Sequence, residues 1–405
     1  MMATKSVVPD WKPYGAPVPR EADFLPFHVT LIEAEDIRAV TDVMHSGWIT
    51  TGPKVHEFEK EFASYLGAKH AVAVNSGTAA LHLGLKAVGV GPGDEVVLPA
   101  MTFAATAEVV TYLGAEPVLV DSLAGTMNLD VSRVERAITP RTKAIIPVHF
   151  GGHPCDMNRL LAIAKDRRIS LIEDAAHALP AGYRGRTVGT IGDITCFSFY
   201  ATKSITTGEG GMATTENQMY AERMRVLSLH GMNKDAWNRY DAKGSWRYDI
   251  REAGYKYNLS DLQAALGLSQ LRKCDAMWRR RAKIAARYSR VLAGMDAFQV
   301  PRASSHVQHA WHLFVILINT AILQIGRDQV IEELRKRKIG TSVHFMPLHL
   351  HSYYQREWGY RRGDFPVAER YFERCISLPI YPGMSDENVD RVVDALAEIA
   401  TTFRR

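Results

Sequence analysis

"FSFYATKSITTGEGGMATT", residues 197–215, joins two unlike halves through one lysine. The first residues form an apolar run of strand type, the last five form a second, and the glycine-rich middle is a turn. Lys203 stands where the first strand runs into that turn. Taken alone, a lysine is most often a solvated side chain. At the ligand end of a sheet it is also a candidate for bonding a carbonyl compound covalently.

Working outward, the chain from about residue 70 alternates strand and helix. "AVAVN" (71–75) precedes the helical "SGTAALHLGLKAVG", and "GPGDEVVLP" leads through a turn and a strand to the helical "TFAATAEVVTYLG". "EPVLVD", "KAIIPVHF", "ISLIED" and "DITCFSF" are further strands, separated by the helical "DVSRVERAI" and by "DMNRLLAIAKDRR", with Asp156 as its N-cap. This pattern predicts an α/β fold with a mostly parallel sheet covered by helices. Ligands of such sheets bind beyond the carboxyl ends of the strands. Asn75 to Thr78, Thr102, Phe103, Asp174 and Ser198 to Lys203 all fall at such ends and are expected to converge.

After about residue 260 the character changes. "SDLQAALGLSQLRKCDAMWRRRAKIAARYSRVL" reads as one long helix capped by Ser260, followed by the strand-like "HLFVILI", a helix near 328–337 and a closing helix from 386. The expected organisation is an N-terminal extension over 1–26, a large domain over 27–260 and a smaller α+β domain over 261–405. Four prolines among the first twenty residues mark the extension as an extended arm.

At 46% hydrophobic and 23% charged residues, the composition is that of an ordinary globular protein. The sequence has no apolar run of membrane-spanning length and no apolar leader, so a cytoplasmic protein without membrane insertion is expected. The four cysteines form no CxxC pair, which fits a reducing compartment and leaves neither a disulfide framework nor a metal site to expect. His344, His349 and His351 have no cysteine and few acids nearby and are not read as metal ligands. The net charge of +5 is mild and its clusters, 272–283 and 334–338, read as helix faces. No nucleic-acid-binding signature is present.

The residues at the strand ends suit one cofactor. Pyridoxal 5′-phosphate (PLP) needs a lysine for its aldehyde, an acid for its pyridine nitrogen and an anion cradle for its phosphate. Lys203 is the candidate lysine. Asp174 ends an apolar strand, where an unpaired carboxylate is costly, though it also reads as an N-cap for "AAHA". Gly77 and Thr78 open a helix whose free amides favour an anion, and Ser198 offers a hydroxyl to the same group. Phe103 is placed to stack on the ring and His177 to meet the ring or its phenolic oxygen; each, taken alone, is more often a packing residue.

Together, "SGTAALHLGL", "GPGDEVVLPAMTFAATA", "ITPRTKAIIPVHFGG", "IEDAAHA", "FSFYATKSITTGEGG" and "GYKYNLSDLQAA" closely resemble the DegT/StrS family of PLP-dependent nucleotide-sugar aminotransferases. The resemblance runs from "SGWITTGPKVHEFE" to "CISLPIYPGM". It implies the fold-type I aminotransferase architecture and a homodimer with active sites at the subunit interface. It makes Lys203 the Schiff-base lysine and Asp174 the pyridine partner. Ser198 and Thr78 become phosphate ligands, Phe103 the stacking aromatic, and Asn258 an asparagine reaching the phosphate from the neighbouring subunit. Thr51, in a loop like the family's substrate loop, and His344 are placed at the sugar pocket.

His177 stands where the family commonly has glutamine. With "YKYNL" and "HAWHLF", it resembles the branch that makes UDP-4-amino-4-deoxy-L-arabinose and points to C4 of a UDP- or dTDP-4-keto sugar, with L-glutamate as donor. "PLHLHSYY" has the general family form instead, so C3 amination stays open. The related sugar 3-dehydratases carry histidine in place of the lysine, which Lys203 argues against. A non-catalytic, DNA-binding regulator on this fold would need a reading module that 26 leading residues are too few to supply.

Overall fold

The computed structural model describes residues 23–232 and 248–405; residues 1–22, most of the expected N-terminal extension, lie outside them. The chain begins with α1 (Ala34–Ser46) and α2 (Pro53–Leu66), then β1 (His70–Val74), α3 (Gly77–Ala87), β2 (Glu95–Pro99), α4 (Ala105–Thr111) and β3 (Glu116–Val120). It continues through α5 (Val131–Ala137), β4 (Thr142–Ile145), α6 (Met157–Arg167) and β5 (Ser170–Asp174). A short ribbon, β6 (Gly182–Tyr183) and β7 (Arg186–Thr187), precedes β8 (Ile194–Ser198), β9 (Gly211–Thr215) and α7 (Gln218–Ser228). The large sheet has seven strands in the order β1-β9-β8-β5-β4-β2-β3. β9 runs against both its neighbours; the other pairings are parallel.

Alternation of side chains along each strand feeds a core on both faces of this sheet. In β1, Val72 and Val74 join the cluster under α3, α4 and α7, while Ala71 and Ala73 join the one under α2, α6 and the start of the long helix. The same alternation makes β8 useful. Phe197 and Phe199 point into the second cluster, where they meet the wholly buried Phe62 at ring distances of 5.2 and 5.5 Å. Burying one such ring contributes about 2 kcal/mol. Ser198, between them, faces the opposite way, toward the strand ends.

The long helix is α8 (Asp261–Leu292), capped by Ser260, whose side chain accepts from the Gln263 amide while the Gln263 side chain reaches back. Beyond it come β10 (Phe298–Gln299), β11 (Val307–Gln308), β12 (Phe314–Ile318), α9 (Arg327–Lys336), α10 (Ser352–Trp358), α11 (Pro366–Phe372), β13 (Cys375–Leu378) and α12 (Asp386–Thr402). β10, β12 and β13 form a second sheet, and β11 joins the ribbon of β6 and β7. Ile284, Tyr288 and Leu292 of α8 pack with Phe314, Ile316, Val392 and Leu396 in a separate core. Leu25 belongs to it as well: its amide donates to Lys338 O, and Gly340 donates back to Leu25 O. Among the described residues no helix is long and apolar enough to cross a membrane.

Candidate active site

The carboxyl ends of β1, β2, β5 and β8 open on a cavity of about 440 Å3. Lys203, Asp174, His177, Ser198, Gly77, Thr78, Phe103 and His344 all line it. The turn that carries Lys203 is bound to the end of β8. Thr206 Oγ1 and the Thr207 amide both donate to Phe199 O, and the Phe199 amide donates to Gly210 O. Thr30 Oγ1 and the Gln263 side chain secure Ala201 O and Glu209 O from outside the turn. Lys203 is part-exposed to the cavity yet densely surrounded by protein. Burial draws its amine down to about 8, against which nearby Asp174 pulls only weakly.

Asp174 ends β5 and its carboxylate is buried. Oδ2 accepts from Thr106 Oγ1 at 2.8 Å and Oδ1 from the Ala176 amide at 3.1 Å. Burial pushes its pKa up, while these two donors and the Lys203 ammonium pull the other way. No helix follows Asp174; its bond to the Ala176 amide closes a turn instead of capping a helix. Behind it, His149 Nδ1 accepts from the Cys155 amide, so Nε2 carries the proton donated to Glu173 at 2.8 Å. Burial acts on Glu173 too, but its bonds to His149, Gly192 and Thr195 outweigh it and hold its pKa down.

The candidate anion cradle is the first turn of α3. Ser76 caps the helix through the Ala79 amide, and the amides of Gly77 and Thr78 have no partner among the described residues. A Cβ on Gly77 would lie 2.8 Å from Ser198 Cβ, so only glycine lets this turn approach β8 so closely. Phe103 stands at the cavity with 64% of its surface exposed and only a tilted contact with Phe345, at 6.0 Å between ring centres. A lysine able to shed its proton, a buried carboxylate, free amides beside a hydroxyl and an exposed aromatic face are the donor set that PLP requires. The residues present fit the group.

His177, His312 and His344 also line the cavity. His177 is buried and its Nδ1 accepts from the Gly151 amide at 3.3 Å; His344 Nδ1 pairs with Ser377 Oγ at 2.7 Å. Burial, then Lys203, hold His177 well below its usual pKa and His344 at about 4. Among the described residues no cluster suited to a metal ion occurs.

Thr51 and Asn258 do not line this cavity. They bond each other: Asn258 Nδ2 donates to Thr51 Oγ1 at 2.7 Å, and that hydroxyl donates to Leu259 O. Sequence reasoning passed over Thr106 and His312, which also line the cavity. Both lay inside stretches singled out for other residues, "TFAATA" and "HAWHLF", but nothing in either pattern marks a threonine on a helix or a histidine before a strand as facing a site.

Residues 30–397 match the model of the DegT/DnrJ/EryC1/StrS aminotransferase family. The chain is 50% identical to the spore coat polysaccharide biosynthesis protein SpsC of Bacillus subtilis, over 94% of this chain and 98% of that protein. Among solved structures it is similar to Spr1654 of Streptococcus pneumoniae, a candidate sugar aminotransferase. The PLP form of Spr1654 superposes with a TM-score of 0.87 at 37% identity, over 94% of this chain and 99% of that one. Helicobacter pylori PseC, an aminotransferase involved in the biosynthesis of pseudoaminic acid, gives 0.87 at 28% identity, over 94% and 100% of the two chains.

Proposed function

The chain belongs to the DegT/DnrJ/EryC1/StrS aminotransferase family and is a PLP-dependent sugar aminotransferase of fold-type I; from there we propose that it transfers an amino group from L-glutamate to C4 of a nucleotide-linked keto sugar. The observation that carries the reading is one cavity gathering Lys203, Asp174 and the first turn of α3, with His177 in its wall. His177, "YKYNL" and "HAWHLF", shared with the UDP-4-amino-4-deoxy-L-arabinose branch, favour C4 and a UDP- or dTDP-linked sugar.

The chemistry that bound PLP supplies is an electron sink and a temporary store for the transferred amino group. Lys203, with its amine near 8, has both forms within reach at neutral pH. The neutral amine would hold the cofactor through its aldehyde; when free it takes a proton from the α-carbon of the donor, and the ammonium returns one. Asp174, oriented by Thr106 and Ala176, would pair with the protonated ring nitrogen. Gly77, Thr78 and Ser198 would hold the phosphate, Phe103 would cover a ring face, His177 would meet the ring or its phenolic oxygen, and His344 would lie at the sugar end.

The working form in this reading is a homodimer with shared sites. Asn258 reaches the phosphate of the neighbouring subunit, and Thr51, bonded to it, sits at the sugar end of that site. The supporting observation is that the loop before Thr51 exposes Trp48 and Ile49, two large apolar side chains that a monomer leaves in water. The test is purified protein with PLP, L-glutamate and a panel of nucleotide-linked 4-keto and 3-keto sugars, read as 2-oxoglutarate and aminated product by mass. The expected product comes from a 4-keto member. Product from 3-keto members alone would replace C4 by C3, and consumption of another amino acid in place of glutamate would replace the donor.

A further inference from the structure

His312 lines the cavity from the C-terminal side of the chain, just before β12, and is buried with no partner for its Nδ1 among the described residues. Its ring lies on that of His177, with centroids 4.4 Å apart and planes 29° from parallel. The segment that delivers it is fixed to the turn at 150–152. The Ala310 amide donates to Gly152 O and the Leu313 amide to Gly151 O, while the Gly151 amide donates to His177 Nδ1. One turn thus holds both histidines. Gly152, at φ +100°, has no room for a Cβ, which would stand 2.8 Å from both His177 O and Ala310 Cβ. On the far side, His309 stacks on Trp311 at 4.0 Å and its carbonyl accepts from Trp278 Nε1 of α8.

A neutral imidazole that accepts at Nδ1 carries its proton on Nε2. The bond from Gly151 therefore selects the tautomer of His177, but a single long bond does not fix the plane of its ring. Two rings lie nearly parallel to it, Phe345 at 6.0 Å and His312 closer at 4.4 Å, and His312 makes the tighter contact. We propose that His312 is a positioning residue for His177: it fixes the plane of that imidazole, and so the direction of its Nε2–H, from the C-terminal side of the chain. The inference rests on the reading that His177 meets the bound cofactor. The charged or titratable groups acting on the two rings are Lys203, His344 and Arg281.

The test follows the visible absorption band of the PLP-loaded protein against pH in His312→Leu, His312→Phe, His177→Gln and the His177→Gln/His312→Leu pair. His312→Leu is expected to shift the midpoint by about one pH unit. Phenylalanine, which keeps a flat ring, restores at least half of that shift. In the His177→Gln background His312→Leu adds nothing, because both act through one group. A shift of equal size in that background, or none in His312→Leu, overturns the inference. Without cofactor, 15N relaxation of the histidine rings should show His177 as an Nε2–H tautomer with a rigid ring in the wild type, and as the same tautomer with a mobile ring in His312→Leu; unchanged ring mobility overturns it as well. An unmoved midpoint in His177→Gln would instead remove the contact between His177 and cofactor, and the inference with it. Should His312→Leu fail to fold, His312→Gln, which also removes the ring, takes its place.

Discussion

Gly77→Ala isolates the phosphate cradle with a single methyl group. The added Cβ would lie 2.8 Å from Ser198 Cβ and 3.3 Å from Ser198 Cα. Carbon atoms settle no closer than about 3.5 Å, so the first turn of α3 and the end of β8 must part by about 0.7 Å. β8 cannot easily yield, because Phe197 and Phe199 on its other face are wedged against Phe58 and Phe62. The helix turn moves instead, and with it the amides of Gly77 and Thr78. A hydrogen bond to a charged group contributes about 1.5–3 kcal/mol, so losing one weakens PLP binding by about tenfold to a hundredfold. Overpacking adds a stability loss of about 1–3 kcal/mol. The assay is a PLP titration followed by absorbance, with urea unfolding of the apo protein in parallel. Gly91→Ala, where an added Cβ meets nothing within 4 Å, is the control and should behave as wild type. Gly77→Ala with wild-type PLP affinity would refute the placement of the phosphate at this turn.

Thr106→Val removes a donor that favours ionised Asp174. Since Asp174 must be ionised to pair with the ring, the acid limb of PLP binding should move up by about one pH unit; an unmoved limb would mean the bond does not tune the acid. Burial lowers the Lys203 amine, so its neutral, reactive fraction reaches one half at about pH 8. The rate of PLP uptake by apo protein should rise with pH with its midpoint there and level off above it, whereas a midpoint near 10.5 would mark an unperturbed lysine. His149→Phe strands Glu173, wholly buried, without its imidazole donor. Urea unfolding should show a loss of about 3 kcal/mol, and a change within about 0.5 kcal/mol would mean the pair is not holding the strand end.

Much of this architecture is written locally. Strand and helix alternate with different periods, Ser260 and Asp156 announce their helices, and Ser198 and Asp174 are polar residues at the ends of apolar strands, with Lys203 in the turn that follows the first. What is not local is not legible. Nothing in "GMATT" says that β9 inserts antiparallel between β1 and β8, because one of its two partners, β1, lies more than a hundred residues away. The bond between Thr51 and Asn258 spans 207 positions, and the stack of His177 on His312 joins segments that share no pattern. The reading of Asp174 as a helix cap fails for a local reason that competes with it. The alanines after it favour a helix, but Pro180 disfavours helical backbone at Leu179 and the segment closes as a turn.

The account stands on Lys203 being the residue that holds PLP. Reducing the PLP-loaded protein with borohydride fixes the cofactor to whichever lysine it is bonded to, and peptide mass analysis then reads the position. The account predicts the added mass on the peptide containing Lys203 and no added mass anywhere in Lys203→Ala. A label on another lysine, or an equal label in Lys203→Ala, would contradict it.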